Sequence, residues 1–487
     1  MNLLPLAIQV LHSPRLLWGL EVAWLVGAAA WLLLERRPPA ATMAWFMGLA
    51  FLPVLGIPVY LYLGPRRLRR KREGRRRAKH ASARLRVVRG EAGGRVPPGS
   101  EPFAHFASRL DVPPPLSATA VTLFSEGDAA WEALLAAFAA ARDHIHLEYY
   151  IFASDRTGAR VRDALVERAR AGVRVRLLVD AAGSARLSGR FLAPLVEAGG
   201  RVARFNPAFR GRSSRLFNFR THRKIVVCDG RVGFTGGINV IDNQSGAVRG
   251  EAAWRDTHLR LEGTAVAGLQ AAFLDDWAYA DPWRLPQVSE ALHRCFFPEC
   301  APGPHVVHVV PGGPDQDLNA VAALYFAAIT GARRRLWITT PYFVPDDAFA
   351  AALAGAALRG VDVQLLLPAR SDNPLADAAG RTFHRDLLRA GAHIHLYQPR
   401  MIHAKAWVVD DQLALVGSAN LDQRSLRLNF EVVAAVHGAA TAAELAALFE
   451  RDRALSVERL WRDEREDREP LSSRLVGSAA RLLSPLL

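Results

Sequence analysis

The sequence predicts an α/β protein of two pseudo-symmetric halves that share one active site, preceded by a two-helix transmembrane hairpin. Three observations lead to this prediction. Two long apolar stretches stand near the N terminus, strand and helix patterns alternate twice along the rest of the chain, and one short polar motif occurs twice. A chain of 487 residues is long enough for more than one folded unit with a substantial core.

Composition is intermediate between a soluble enzyme and a multi-span transporter. Half of the residues are hydrophobic and the mean hydropathy is +0.05. This balance is typical of a short membrane segment joined to a soluble body. The three cysteines form no CxxC pair, and an odd count offers no disulfide framework, which favours a reducing compartment.

The N-terminal apolar stretches are Leu16–Leu34, interrupted only by Glu21, and Thr42–Leu63, which carries no charge. Each is about long enough to cross a hydrocarbon core of roughly 30 Å as a helix. The first stretch could also be a signal peptide, but no small-residue cleavage site follows it, and a second stretch so close favours a hairpin. We therefore predict a transmembrane hairpin anchor over residues 1–65.

A basic block follows the hairpin. Between Arg66 and Arg77 stand nine Lys or Arg residues and one acidic residue, Glu73, so this block supplies +8 of the net charge of +15. Such a block is commonly a solvated tail or a nucleic-acid arm. Beside apolar spans it favours an orientation signal that attracts anionic lipid, which puts the body in the cytoplasm. We assign 66–111 to a basic juxtamembrane linker.

The rest of the chain alternates strand and helix patterns. In the first half they occupy Ala120–Phe124, Asp128–Arg142, Ile145–Phe152, Ala159–Ala171 and Val173–Val179. The same succession returns at Val306–Val310, Asp317–Ala332, Leu336–Thr340, Asp346–Arg359 and Val361–Leu367. This repeat predicts two similar α/β units with largely buried sheets, at 112–300 and 301–487.

A polar motif occurs once in each half. In each copy a lysine follows the histidine by two positions, an aspartate by seven, a glycine by fourteen and an asparagine by seventeen. The copies are His222, Lys224, Asp229, Gly236 and Asn239, and His403, Lys405, Asp410, Gly417 and Asn420. The chain has only four lysines, and the other two, Lys71 and Lys79, lie in or next to the basic block. Arginine does not replace lysine in a cramped site, so two lysines in matching places indicate chemistry.

Spacing explains the residue types. A histidine and a lysine two positions apart on a strand point to the same face, so both can meet one ligand. Asn239, Ser418 and Asn420 can donate hydrogen bonds to an anionic oxygen. Asp229 and Asp410 belong to the candidate catalytic set, but they also occupy predicted hairpin turns, and a turn or salt-bridge role is the favoured alternative for them.

The duplicated motif resembles the signature of the phospholipase D superfamily. The strings Glu148–Phe152, Trp254–His258, Pro341–Pro345, Asp422–Ser425 and Leu428–Glu431 are similar to the bacterial cardiolipin synthase branch. The resemblance extends from about Leu16 to the C terminus. It implies two phospholipase D-like α/β sandwich units around one site, and a multi-pass protein of the bacterial inner (cytoplasmic) membrane.

The resemblance also implies residue roles. His222 would be the nucleophile and His403 the acid/base, although the near-symmetry of the motifs leaves this order open. Glu431 and Asp256 would orient the imidazoles. The scheme requires no cofactor and no metal, and the pairs His144/His146 and His393/His395 are expected to be structural.

The leading function is transfer of a phosphatidyl group between two phosphatidylglycerol molecules, through a phosphohistidine, with release of glycerol. The expected partners are phosphatidylglycerol and anionic membrane lipids, and no nucleic acid. One alternative keeps the site but uses water or another alcohol as acceptor, as in a phospholipase D, or cleaves nucleic acid as a nuclease. A further alternative is a membrane-tethered binding protein with decayed sites, which the two intact His-Lys pairs disfavour.

Overall fold

The computed structural model describes residues 14–34, 39–52, 55–57, 60, 73, 75, 96–97, 100–110, 112–206, 219–281, 290–460 and 470–482. The chain divides into two compact units, Met1–Glu73 and Gly74–Leu487. Most of the basic block from Arg66 to Arg77 and most of the predicted linker lie outside the described residues.

The N-terminal unit contains two packed helices, α1 (Pro14–Leu34) and α2 (Pro39–Phe51). Leu32, Leu49 and Tyr60 belong to their shared apolar cluster, and Nε1 of Trp24 donates to the carbonyl of Leu49 at 3.1 Å. Within the ranges given above, no helix is both long enough and apolar enough to cross a membrane. The predicted hairpin therefore has its two helices, whereas its transmembrane character is not confirmed.

The body contains two large sheets. After β1 (Leu116–Ala118), the strands of the first sheet are β2 (Ala120–Phe124), β3 (His144–Tyr149), β4 (Arg174–Asp180), β5 (Arg201–Phe205), β6 (Ile225–Cys228), β7 (Val232–Gly236) and β8 (His258–Glu262). The later strands are β9 (His305–Gly312), β10 (Arg335–Thr339), β11 (Phe343–Val344), β12 (Asp362–Pro368), β13 (His393–Tyr397), β14 (Ala406–Val409), β15 (Leu413–Gly417), β16 (Leu421–Asp422), β17 (Glu431–His437) and β18 (Ser456–Arg459). Strands β11 and β16 form a separate parallel pair.

Strand order shows the duplication directly. The first sheet runs β2-β8-β7-β6-β3-β4-β5. The second repeats this order as β9-β17-β15-β14-β10-β12-β13, with β1 and β18 added at its edges. Strands β3-β4 and β10-β12 pair in parallel. Each histidine–lysine motif precedes a hairpin, β6-β7 or β14-β15, which adds to this parallel part in antiparallel fashion.

Helices cover both sheets. Before β1 stands α3 (Glu101–Ser108), and the first half contains α4 (Gly127–Ala140), α5 (Arg156–Arg170), α6 (Gly189–Glu197), α7 (Gly246–Arg249), α8 (Val266–Ala280) and α9 (Glu290–Phe296). The second half contains α10 (Ala320–Gly331), α11 (Asp347–Leu358), α12 (Pro374–Arg389), α13 (Gln423–Arg427), α14 (Ala439–Ala454) and α15 (Leu471–Leu482). The ten elements expected from periodicity are all present, with ends shifted by a few residues.

Apolar alternation along the central strands explains the layers. Ile145, Leu147 and Tyr149 of β3 face a core that also contains Trp131 of α4 and Leu165 of α5. The opposite face of β3 packs against α8, which also contacts β9 of the second sheet. Because α8 lies between elements of both halves, almost all of its residues are buried.

Candidate active site

The first histidine lies where the two halves of the body meet. Thr221 forms a parallel bridge with Phe430, in which the amide of His222 donates to the Phe430 carbonyl at 2.8 Å. The amide of Phe430 in turn donates to the carbonyl of Arg220 at 2.8 Å. This bridge brings Nδ1 of His222 to 3.0 Å from Oε2 of Glu431. The second half therefore supplies the acid that orients the first histidine.

The second histidine has the reciprocal arrangement. The amide of His403 donates to the carbonyl of Arg255 at 2.6 Å, and the amide of Arg255 donates to the carbonyl of Met401 at 2.9 Å. Nδ1 of His403 then lies 2.7 Å from Oδ2 of Asp256. In each pair the carboxylate accepts from Nδ1, which leaves the lone pair of Nε2 for chemistry. Each of the two predicted acids therefore contacts one motif histidine, Glu431 with His222 and Asp256 with His403.

Both orienting acids are buried and held by further donors. Oε2 of Glu431 accepts from the Ser418 hydroxyl at 2.5 Å, and Oε1 accepts from the amide of Asn429 at 3.2 Å. Oδ1 of Asp256 accepts from the Thr257 backbone amide at 2.7 Å. Oδ2 accepts from the side-chain amide of Gln244 as well as from His403. These bonds fix the two carboxylates as anions.

Ser418, a predicted phosphate-binding residue, contacts Glu431. Its hydroxyl donates to Oε2 of Glu431 and accepts from the backbone amide of Val432 at 3.0 Å, and phosphate binding by Ser418 stays a prediction. The matching residue of the first motif is Gly237. There a Cβ would lie 2.0 Å from Oδ1 of Asp256, so no side chain fits. The two motifs thus differ at this position because each packs against a different acid.

The two lysines are fully buried next to their own histidines. Nζ of Lys224 donates to the carbonyl of His222 at 2.7 Å. Nζ of Lys405 donates to the carbonyl of His403 at 2.5 Å and lies 3.0 Å from Nε2 of that ring. Nζ of Lys405 therefore lies beside its own histidine ring, whereas Nζ of Lys224 contacts the backbone of its histidine.

Burial and mutual repulsion set the protonation of the lysines. Burial, and then the charge of Lys405, lower the pKa of Lys224 to about 7. Burial lowers the pKa of Lys405 to about 8, although Asp256 and Glu431 oppose this shift. The pKa of Lys224 depends on Lys405 and Glu431 of the second half, and the pKa of Lys405 depends on Asp256 of the first half. The two motifs are therefore electrostatically coupled.

Burial and nearby charges also set the protonation of the two histidines. Burial lowers the pKa of His222 to about 4 despite Glu431, and burial followed by Lys405 lowers the pKa of His403 to about 4 despite Asp256. Burial alone would raise the pKa of Glu431 and of Asp256, but their histidine partners and nearby lysines lower both below the ordinary values. The site at neutral pH thus holds two neutral imidazoles and two carboxylates.

The asparagines of the motifs are buried beside the histidines' strands. Oδ1 of Asn239 accepts from the amide of Ile151 at 3.2 Å, so its NH₂ group is the part suited to a phosphate. Nδ2 of Asn420 donates to Oδ2 of Asp422 at 3.0 Å, and an NH₂ group has a second hydrogen to give. Phosphate binding by both asparagines remains a proposal.

Asp229 and Asp410 lie at the turns of the two motif hairpins. Each follows a four-residue strand, β6 or β14, so it lies at the far end of that strand from the lysine. Oδ1 of Asp229 accepts from the backbone amides of Asp143 and His144, both at 2.8 Å. Asp410 accepts in the same way from Arg333 and Arg334. These contacts support the turn role, with φ of 53° and 50°, and place neither carboxylate with the histidines.

Several contacts of the site escaped sequence reasoning. The ring of Tyr150 lies 4.8 Å from that of His222 and 5.6 Å from Nζ of Lys224. Trp254 lies 5.3 Å from the ring of His403. Both aromatic residues occur in the strings that resemble the family, which was the available signal. Gln244, which holds Asp256, lies outside those strings and carried no signal.

The paired histidines outside the motifs have structural partners. His146 is buried and contacts Gln270 of α8 and, at 3.0 Å, Arg176. Among the described residues, the one group with the spacing of metal ligands is Asp143, His144 and Asp229. Its Asp229 oxygens already accept backbone amides, and Asp143 pairs with Arg174. This donor set fits a strand cap better than a metal, and the expected absence of a cofactor stays a prediction.

Comparisons with known proteins identify the family. The family described as "Cardiolipin synthase, PLD-like domain" matches residues 134–277 and 325–453, and "Phospholipase_D-nuclease N-terminal" matches 22–65. The chain is 36% identical to "Cardiolipin synthase 1" of Bacillus anthracis, over 97% of this chain and 93% of that protein. It is 37% identical to "Major cardiolipin synthase ClsA" of Bacillus subtilis, over 93% and 95%.

A solved structure shows the same fold. Phosphatidylserine synthase of Haemophilus influenzae superposes with a TM-score of 0.60 at 14% identity, over 80% of this chain and 100% of that one. The two-fold α/β fold and the family predicted from the motifs are therefore confirmed. The duplicated His-Lys motifs, the reciprocal acids and the full-length similarity agree, and the chain belongs to the bacterial cardiolipin synthase family of the phospholipase D superfamily.

Proposed function

We propose that this protein is a membrane-anchored phosphatidyltransferase that converts two phosphatidylglycerol molecules into cardiolipin and glycerol. The observation that supports it best is the reciprocal pairing of His222 with Glu431 and of His403 with Asp256. A double displacement at phosphorus needs one imidazole with a free lone pair on Nε2, and a second imidazole whose Nε2 can carry a proton and give it up. The two oriented rings supply both groups.

In the first step, Nε2 of His222 attacks the phosphorus of one phosphatidylglycerol. The bond from phosphorus to the glycerol headgroup oxygen breaks, and the protonated Nε2 of His403 gives its proton to that oxygen. Glycerol leaves, and the phosphatidyl group stays on His222. Burial lowers the pKa of His403 to about 4, and an anionic phosphate in the site would raise it, which makes this proton available when substrate is bound.

In the second step, Nε2 of His403 takes the proton from the hydroxyl of a second phosphatidylglycerol. That oxygen attacks the phosphohistidine, the bond between phosphorus and nitrogen breaks, and cardiolipin leaves. Lys224 and Lys405 neutralise the equatorial oxygens in both steps, with the NH₂ groups of Asn239 and Asn420 as further donors. The roles of the two histidines could also be exchanged.

Products identify the acceptor. The detergent-purified protein would be incubated with phosphatidylglycerol, and the lipids resolved by mass spectrometry. Cardiolipin with an equal amount of glycerol supports the transferase. Phosphatidic acid alone would mean that water is the acceptor, and hydrolysis of DNA without lipid would mean a nuclease. His222→Ala and His403→Ala should abolish cardiolipin formation, whereas Arg160→Lys, at an exposed ion pair with Glu132, should not.

We also propose that the N-terminal unit anchors the enzyme to the inner membrane, with the body on the cytoplasmic face. Trp18, Val26, Leu33 and Phe51 of α1 and α2 expose more than half of their surface, and lipid is the solvent that suits such side chains. Retention of the protein in membranes after alkaline carbonate washing would support this anchor. Release by the wash would contradict it, and protease cleavage of the body only in opened cells would support the cytoplasmic face.

A further inference from the structure

Arg75 is a buried arginine whose role the reaction scheme above does not explain. Its side chain pairs with Asp276 of α8, donates to the carbonyl of Asp275 at 3.1 Å, and lies 3.6 Å from Asp315. The guanidinium carbon stands 4.8 Å from the ring centre of Phe430. Only 1% of the residue is exposed, although it belongs to the basic block that the sequence assigns to a solvated linker.

The contact with Phe430 links Arg75 to the catalytic histidine. The carbonyl of Phe430 accepts from the amide of His222, and the next residue is Glu431. Asp276 carries the link along a second route, because its other oxygen pairs with Arg223, the residue between His222 and Lys224. Nε of Arg223 donates to the carbonyl of Glu431 at 3.0 Å. Arg75 therefore supports both chain segments that hold the His222–Glu431 pair.

The other histidine is supported in a comparable way, but by the residue that precedes its own acid. Arg255 precedes Asp256 as Phe430 precedes Glu431, and its guanidinium reaches the carbonyl of Asp256. It also pairs with Asp452 of α14 at 2.7 Å. At each bridge a guanidinium thus pairs with a helix carboxylate from the half that does not supply the acid, Asp452 of α14 or Asp276 of α8. At position 430 a phenylalanine stands where the other bridge has an arginine.

We propose that Arg75 is a positioning residue for the reaction, which supplies at the His222–Glu431 bridge the guanidinium that Arg255 supplies at the His403–Asp256 bridge. The planar guanidinium suits this place because it can lie on the Phe430 ring and pair with a carboxylate at the same time. Arg75 lies outside the ranges that match the family, 22–65, 134–277 and 325–453. Residues before the α/β sheets thus complete the catalytic unit.

A double-substitution experiment on the full chain tests this proposal, which rests on the proposed transferase activity. Arg75→Gln and Arg75→Lys would be made alone, with Glu431→Gln, and with Asp256→Asn. Initial rates of cardiolipin formation from phosphatidylglycerol would give kcat and KM, and thermal unfolding would report folding. Arg160→Lys serves as the surface control.

If Arg75 acts through Glu431, Arg75→Gln lowers kcat about 10- to 100-fold with little change in KM, and Arg75→Lys lowers it less. The loss disappears in the Glu431→Gln background and persists in full in the Asp256→Asn background. An equal loss in both backgrounds, an unchanged kcat, or failure of both Arg75 variants to fold would overturn the positioning role. A parent protein that makes no cardiolipin would instead refute the proposed function.

Discussion

Nδ1 of His222 lies 3.0 Å from Oε2 of Glu431, although 209 residues separate them in the sequence. His403 and Asp256 repeat this relationship in the opposite direction, at 2.7 Å and a separation of 147 residues. Each half of the body therefore supplies one histidine and the acid for the other histidine. The active site belongs to the contact between the halves and to neither half alone.

Replacing Glu431 with glutamine should lower kcat by about 100-fold or more. A neutral amide does not stabilise the imidazolium and does not fix the Nδ1–H tautomer, and losses of this order follow when an orienting carboxylate is neutralised. Cardiolipin formation from phosphatidylglycerol, followed by mass spectrometry, measures the effect. Glu132→Gln, at an exposed position, is the control. A Glu431→Gln rate within threefold of the parent rate would remove Glu431 from the site.

Substrate binding should take up protons in alkaline solution. In the free protein the pKa of Lys224 is lowered to about 7 and that of Lys405 to about 8, so both lysines are mainly neutral at pH 9. A phosphodiester anion favours the charged lysines and raises both values. Each lysine that becomes charged binds one proton, whereas at pH 6 both lysines are already charged and contribute no uptake.

Calorimetry of short-chain phosphatidylglycerol binding, in two buffers with different ionisation enthalpies, measures this uptake. Lys224→Gln should reduce the uptake at pH 9 to what Lys405 alone contributes. Binding at pH 9 without any proton uptake would show that the lysines do not hold the phosphate.

Asp410→Asn should reduce stability and leave the chemistry nearly intact. The carboxylate accepts from three successive backbone amides at the exposed to part-buried start of β10. Weakening an ordinary hydrogen bond of this kind costs about 0.5–1.5 kcal/mol. Asparagine tolerates the positive φ of 50° found there, so Asp410→Ala should be the more harmful change. Thermal unfolding and kcat would be measured together. A kcat lowered 100-fold at an unchanged Tm would return Asp410 to the catalytic residues.

Ser418→Gly and Gly237→Ser exchange the residues of the two motifs at the position after the glycine of each return strand. Ser418→Gly removes one donor to Glu431, and we expect a loss in kcat of about tenfold. Gly237→Ser adds a Cβ that would lie 2.0 Å from an oxygen of Asp256, so Asp256 must move away from His403 and the loss should be much larger. Equal rates for the two variants would contradict this reading of the asymmetry.

The sequence predicted those features for which a residue type at a given spacing has a single physical explanation. The offsets in the duplicated motif predicted a joint site for His222 and His403, and periodicity predicted the buried strands of two similar α/β units. The contact of Ser418 with Glu431 could not be predicted, because a hydroxyl donates equally well to a phosphate and to a carboxylate. The pairing of β15 with β17 brings these two side chains together. Arg75 could not be found, since a basic residue in a basic block carries no sign of burial.

The exchange of acids between the halves limits how the two copies of the ancestral unit could diverge. Surface loops and outer helices of one copy can change without reference to the other. A substitution of Glu431, however, removes a contact of His222 in the other copy, and a substitution of Asp256 removes a contact of His403. A substitution in either half can therefore disable the histidine of the other half, so neither copy can lose its part of the site without loss to both.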